Sequence, residues 1–133
     1  VASNANKETD ARIVIDGLLR QVGWDPANKS QVLTEQVTHD GTRADYVLLS
    51  QNGRPLAVIE AKRENIDPYT SKQQTLPYAQ QLQAPFVFLS NGELIYFWDY
   101  TNDDARLINS FYSRRDLERL VYMRRERKPL ATI

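Results

Sequence analysis

Residues 43–62 read RADYVLLSQNGRPLAVIEAK, and the fold turns on this stretch. Two apolar runs, 44–49 and 55–61, flank Asn52-Gly53, the pair that best suits a two-residue type I′ turn because both positions tolerate positive φ. A β-hairpin is the expectation. A turn at Asn52-Gly53 pairs Gln51 with Arg54; counting outward in step then pairs Val47 with Val58 and Asp45 with Glu60. The two carboxylates face each other, with Cβ atoms about 4.5–5.5 Å apart. Lys62, two residues past Glu60, projects from the same face.

Opposed carboxylates repel unless a cation sits between them. Such a site suits Mg²⁺, a hard cation that takes one or two carboxylates and keeps several waters; the Ala61 carbonyl, between the two side chains, is an extra candidate ligand. A cation there would lower the pKa of a bound water and offset charge building on a phosphate. Lys62 is placed to orient that water or to stabilise the charged transition state. The same residues also fit a plain strand rim on which Lys62 neutralises two acids. The hairpin alone leaves both readings open.

The rest of the chain sets bounds. Its 133 residues, 41% hydrophobic and 26% charged, fit one soluble globular domain with a single moderate core. No apolar run approaches the roughly 20 residues that span a bilayer, so no membrane role is expected. Without cysteine, disulfides and thiolate chemistry are excluded, and a reducing cytoplasm is compatible. The single histidine, His39, rules out a histidine-rich metal site and reads as a solvated turn residue. Lysines and arginines balance acids at 17 each. That balance hides a division: from residue 112 on, seven basic residues face three acids, whereas residues 1–111 hold ten against fourteen. A domain that simply coats nucleic acid is normally basic throughout, so any role on DNA must be local chemistry.

Outward from the hairpin, residues 8–22 show the helical pattern in Ile15, Leu18, Leu19 and Val22, stopped by Gly23. Residues 31–38 are a strand candidate and residues 70–83 a helix, with Pro77 expected to kink or restart it. The segments 86–89 and 94–98 form a second hairpin around Ser90-Asn91-Gly92-Glu93. The aromatic run Tyr96, Phe97, Trp98 and Tyr100 reads as half core. Ser113 is placed to cap a last helix. The domain reading is a disordered or tag-derived segment over 1–7, a core over 8–112, and a C-terminal helix and linker over 113–133. The order implies an α/β protein with a mixed central sheet of about five strands, flanked by helices.

An aspartate opening one strand and Glu-x-Lys closing the next resembles the PD-(D/E)xK nuclease core, with Ala44 where that motif has proline. The ordered set is more specific: Gly23-Trp24, RADYVLL, PLAVIEAKR, Gln74-x-x-x-Tyr78 and APFVFLSNGELIYFWD. Together these resemble the N-terminal nuclease domain of the motor (restriction) subunit of type I restriction–modification enzymes, across roughly residues 8–120. The resemblance implies Asp45 and Glu60 as metal ligands, Lys62 as catalytic lysine, and Gln74 and Tyr78 as site residues on one face of the following helix. For that pair the alternative is core packing of Tyr78 and a solvated Gln74. The family also carries an acid on its first helix. Glu8 fits better than Asp10, which lies about 200° away around the helix; alternatively Glu8 serves the helix dipole.

Arg43, Arg63 and Lys72 flank the site as candidate DNA contacts. Implied with them are Mg²⁺ (Mn²⁺ substituting), cleavage of double-stranded DNA, a cytoplasmic setting, a missing ATP-driven motor, and methyltransferase and specificity subunits as partners. Rival readings are a catalytically silent module that docks the motor or senses DNA, and a stand-alone nuclease of the same fold.

Overall fold

The computed structural model describes residues 4–37 and 43–126. Six strands form one sheet in chain order: β1 (Val32–Val37), β2 (Arg43–Leu49), β3 (Pro55–Ala61), β4 (Phe86–Ser90), β5 (Ile95–Trp98) and β6 (Arg106–Ile108). Every pairing is antiparallel except β3 with β4, which is parallel. A parallel pair needs a crossover. Here it is a 3₁₀ turn (Pro68–Ser71) running into α2 (Lys72–Leu82). The remaining helices are α1 (Asn4–Gln21) and α3 (Arg114–Glu126).

Strand alternation divides the core into two layers. On one face, Tyr46 and Leu48, Ala57 and Ile59, Phe86 and Phe88, and Ile95 and Phe97 pack with Ile15 and Leu19 of α1 and Leu117 of α3. On the other, Val47, Val58, Val87, Leu89 and Trp98 pack with Ala79 of α2. Both β3 and β4 lie in the interior of the sheet and are apolar on both faces, as strands covered on both sides must be. The aromatic run divides as expected: Phe97 joins the first layer, while Tyr96 and Trp98 join the second.

The hairpin register is the expected one near the site, but it arises differently. Val47 opposes Val58 and Tyr46 opposes Ile59. The turn itself is not the two-residue I′ form. Gly53 N–H donates to the Ser50 carbonyl at 2.9 Å and Ser50 N–H to that of Arg54 at 2.8 Å, so the loop is Gln51–Gly53. Of these, only Gly53 has positive φ (+83°). The Ser50 hydroxyl bonds the Asn52 side chain, which holds Asn52 outside the left-handed region and favours the wider loop. That loop shifts the pairing by one residue, to Leu49 opposite Pro55, and a bulge between Leu48 and Leu49 shifts it back. Leu56 takes up the extra residue.

Three expectations change. Helix α1 begins at Asn4, so residues 4–7, expected to be disordered or tag-derived, are helical. Pro77 neither stops nor splits α2: it lies on the exposed face, as does Gln73, whose carbonyl loses the helical bond and faces water. The sixth strand was not expected. It is a short edge strand with Arg106 and Leu107 exposed. The cap on α3 is as expected, with the Asp116 amide donating to Ser113 Oγ at 3.1 Å.

Candidate functional site

Strands β2 and β3 carry Asp45 and Glu60 at one end of the sheet, with Lys62 just past the end of β3. Both carboxylates are buried at 8% exposure, which charged groups tolerate only when paired. The regular ladder ends at Tyr46–Ile59. One step further, the Asp45 side chain replaces the ladder: its Oδ2 accepts the Ala61 amide at 2.8 Å. The carboxylate is thus fixed by the backbone it faces. An extended residue projects its N–H and C=O to the same edge, so the Ala61 carbonyl is also directed toward the Asp45 side.

Lys62 Nζ lies 3.4 Å from Glu60 Oε2 and donates to Gln74 Oε1 of α2 at 3.5 Å. Its backbone N–H is anchored to the Ser90 carbonyl at 2.8 Å. The chain beyond it is clamped by Asn91, buried in the β4–β5 turn. Asn91 Nδ2 donates to the carbonyls of Glu64 and Ile66 at 3.0 and 2.9 Å, while its Oδ1 accepts the amides of Glu93 and Leu94.

A residue missed by the sequence reading completes the site. The Arg12 guanidinium of α1 forks, with Nη2 on Asp45 Oδ1 and Nη1 on Glu35 Oε1 of β1 at 2.8 Å. Burial works to lower its pKa, but the hydrogen bonds and charges of Glu35 and Asp45 outweigh that and hold it more firmly protonated than a free arginine. Next to it the Tyr46 hydroxyl donates to Asp16 Oδ1 at 2.7 Å; burial first, then that bond, keep the phenol protonated far above its usual range. Arg12, Glu35, Asp45 and Tyr46 line a cavity of about 300 Å³. The signal that marks Arg12 in the sequence is its place on the apolar stripe of α1, three residues before Ile15 and seven before Leu19.

The other candidates are distributed differently. Gln74 reaches the site through Lys62. Tyr78, four residues on, is half-buried against the second core layer, which favours packing over chemistry. Lys72 is bound elsewhere: its Nζ pairs with Asp104 and lies 3.0 Å from the Tyr69 hydroxyl and 4.6 Å from that ring's centre. Arg63 is half-buried, and its Nε has no hydrogen-bond partner among the described residues. The side chains of Glu8 and Arg43, and all of His39, lie outside the described residues.

The donor chemistry fits a hard divalent cation. Two buried carboxylates lie at a strand end with a backbone carbonyl directed alongside, and among the described residues no histidine or cysteine accompanies them. Among the described residues no third acid joins them in a group able to hold a metal, so water would fill the remaining positions, as Mg²⁺ prefers.

The chain has relatives among known proteins. Residues 30–106 match the family model described as type I restriction enzyme R protein N terminus. The chain is 34% identical, over 74% of its length, to the type I restriction enzyme EcoAI endonuclease subunit of Escherichia coli, of which it spans 14%. Among solved structures it is similar to a fragment of a putative HsdR subunit of a type I restriction enzyme from Vibrio vulnificus YJ016, with a TM-score of 0.69 and 29% identity over 84% of this chain and 24% of that one. The type IIG restriction endonuclease BpuSI shares the fold at a TM-score of 0.51 and 19% identity, over 69% of this chain and 12% of that one. The mixed sheet with flanking helices is therefore an α/β fold of the restriction-endonuclease type, and the chain belongs to the type I restriction enzyme R protein N-terminus family.

Proposed function

We propose that this domain hydrolyses DNA phosphodiester bonds with a divalent cation, Mg²⁺ or Mn²⁺, held by Asp45 and Glu60 with help from the Ala61 carbonyl. What supports the reading is Asp45 held by the amide of Ala61, the residue between Glu60 and Lys62, with Lys62 in turn on Glu60 and on Gln74 of α2. When bound, such a cation supplies charge neutralisation at the phosphate and a more acidic water. The Ala61 amide orients Asp45. Lys62 donates hydrogen bonds to the attacking water or to the phosphate oxygen on which charge builds, and Gln74 Oε1, an acceptor for the ammonium, steers it.

The whole relative is about seven times longer than the span matched here. In the full R subunit an ATP-driven motor would deliver double-stranded DNA to this site, and methyltransferase and specificity subunits would choose where the complex binds. Glu8, if it joins the ligands, does so from α1, and Arg43 and Arg63 remain candidate phosphate contacts. A second reading, a silent module that keeps the fold, draws support from one observation: Arg12 already holds Asp45. In the full complex, Glu60→Gln is expected to lower cleavage by about a hundredfold or more while ATP hydrolysis continues. Cleavage at the wild-type rate would contradict the nuclease reading.

A further inference from the structure

The register of the sheet places three acids in one row. Thr34 opposes Tyr46 and Gln36 opposes Ala44, so the skipped rung between them is Glu35 opposite Asp45. Extended one step past its last pair, Tyr46 with Ile59, the β2–β3 register carries that row to Glu60. Three carboxylates on adjacent strands repel strongly, and the chain bends to relieve it. Glu35 has φ +53°, a left-handed conformation that strains a non-glycine residue and breaks the ladder at that rung. Arg12 occupies the gap so formed, bridging Glu35 and Asp45 through different nitrogens of one fork.

We propose that Arg12 is the resident counter-cation of the acidic edge. A divalent cation binds at Asp45 only by displacing the Arg12 Nη2 arm from Asp45 Oδ1, while Glu35 retains the guanidinium through Nη1. This rests on the cation-site reading of Asp45 and Glu60. The geometry suits an exchange. Asp45 Oδ2 is held by the Ala61 amide whatever Arg12 does, so one oxygen keeps the carboxylate in place and the other changes partner. Arg12 is half-buried at 27% exposure and Glu35 is open at 58%, so the released arm has solvent and a second acid to turn to.

The test titrates MnCl₂ alone into the protein by calorimetry and follows thermal melting with and without Mn²⁺. Arg12→Gln should bind Mn²⁺ about tenfold more tightly than wild type, melt at a lower temperature in chelator, and gain more from added Mn²⁺. Arg20→Gln is the control: it removes the same charge from the same cavity without touching Asp45, and should shift affinity by less than about twofold. Equal tightening in both variants would reduce the effect to distant charge and overturn the displacement. Unchanged or weaker Mn²⁺ binding in Arg12→Gln, with binding lost in Asp45→Asn, would overturn this inference and leave the metal site standing. Equal binding in wild type, Arg12→Gln and Asp45→Asn would remove the metal site itself. Should Arg12→Gln fail to fold, Arg12→Lys keeps the charge but loses the fork, and it must bind Mn²⁺ more tightly than wild type for the proposal to hold.

Discussion

Two lysines on the α2 side of the sheet have opposite lives. Lys72 is used up: it pairs with Asp104, donates to the Tyr69 hydroxyl at 3.0 Å, and lies 4.6 and 5.2 Å from the ring centres of Tyr69 and Trp98. Its acid is exposed, so the pair relieves no buried charge. Among the described residues Lys62 has only long contacts, 3.4 Å to Glu60 and 3.5 Å to Gln74, with Glu60 itself buried. A lysine whose partners are satisfied fastens a loop. One loosely held next to buried acids still has donors to offer a substrate. The two lysines differ in geometry, where residue type alone would not tell them apart.

Substitutions at the two positions should therefore diverge. Lys62→Ala is expected to cut DNA cleavage in the full complex by about 10²–10³-fold and to move the thermal midpoint less than Lys72→Ala does. Near-normal cleavage would break the comparison at its strongest point. Lys72→Ala should leave cleavage per folded molecule unchanged and lower the midpoint by about 2–5 °C, from the loss of its cation–π and ion-pair contacts. A large cleavage defect with an intact midpoint would return Lys72 to the DNA-binding set.

A smaller effect sharpens the Lys72 side. Hydrogen bonds from Lys72, from Tyr69 and from the Ala105 amide lower the Asp104 pKa from 3.8 to about 2. A carboxylate depressed on folding contributes stability above its unfolded pKa and loses it as pH falls through the folded value. The midpoint difference between wild type and Asp104→Asn should be constant above about pH 4 and fade toward pH 2. A difference that persists at pH 2 would mean that the carboxylate charge is not what Lys72 holds.

Much of this was legible in the sequence because strands carry a two-residue period. That period placed β2, β3, β4 and β5 and put Asp45, Glu60 and Lys62 on one face. The hairpin register came out as expected through two compensating departures, the three-residue loop closed by Gly53 and the bulge that absorbs Leu56. Neither has a signature as plain as Asn-Gly. Strand β6 escaped because three residues with two exposed show no alternation. Arg12 escaped for a different reason: its partner Asp45 is 33 residues away, and α1 had to be docked on the sheet before the pair could exist. Glu35 was hidden with it, since its left-handed backbone follows from the acid it would otherwise face.

The central claim is that Asp45 and Glu60 form a divalent-cation site. The direct measurement is calorimetric titration of Mn²⁺ into wild type and Asp45→Ala, both confirmed as folded by circular dichroism. The account predicts saturable binding in wild type that Asp45→Ala loses; identical weak binding in the two proteins would contradict it.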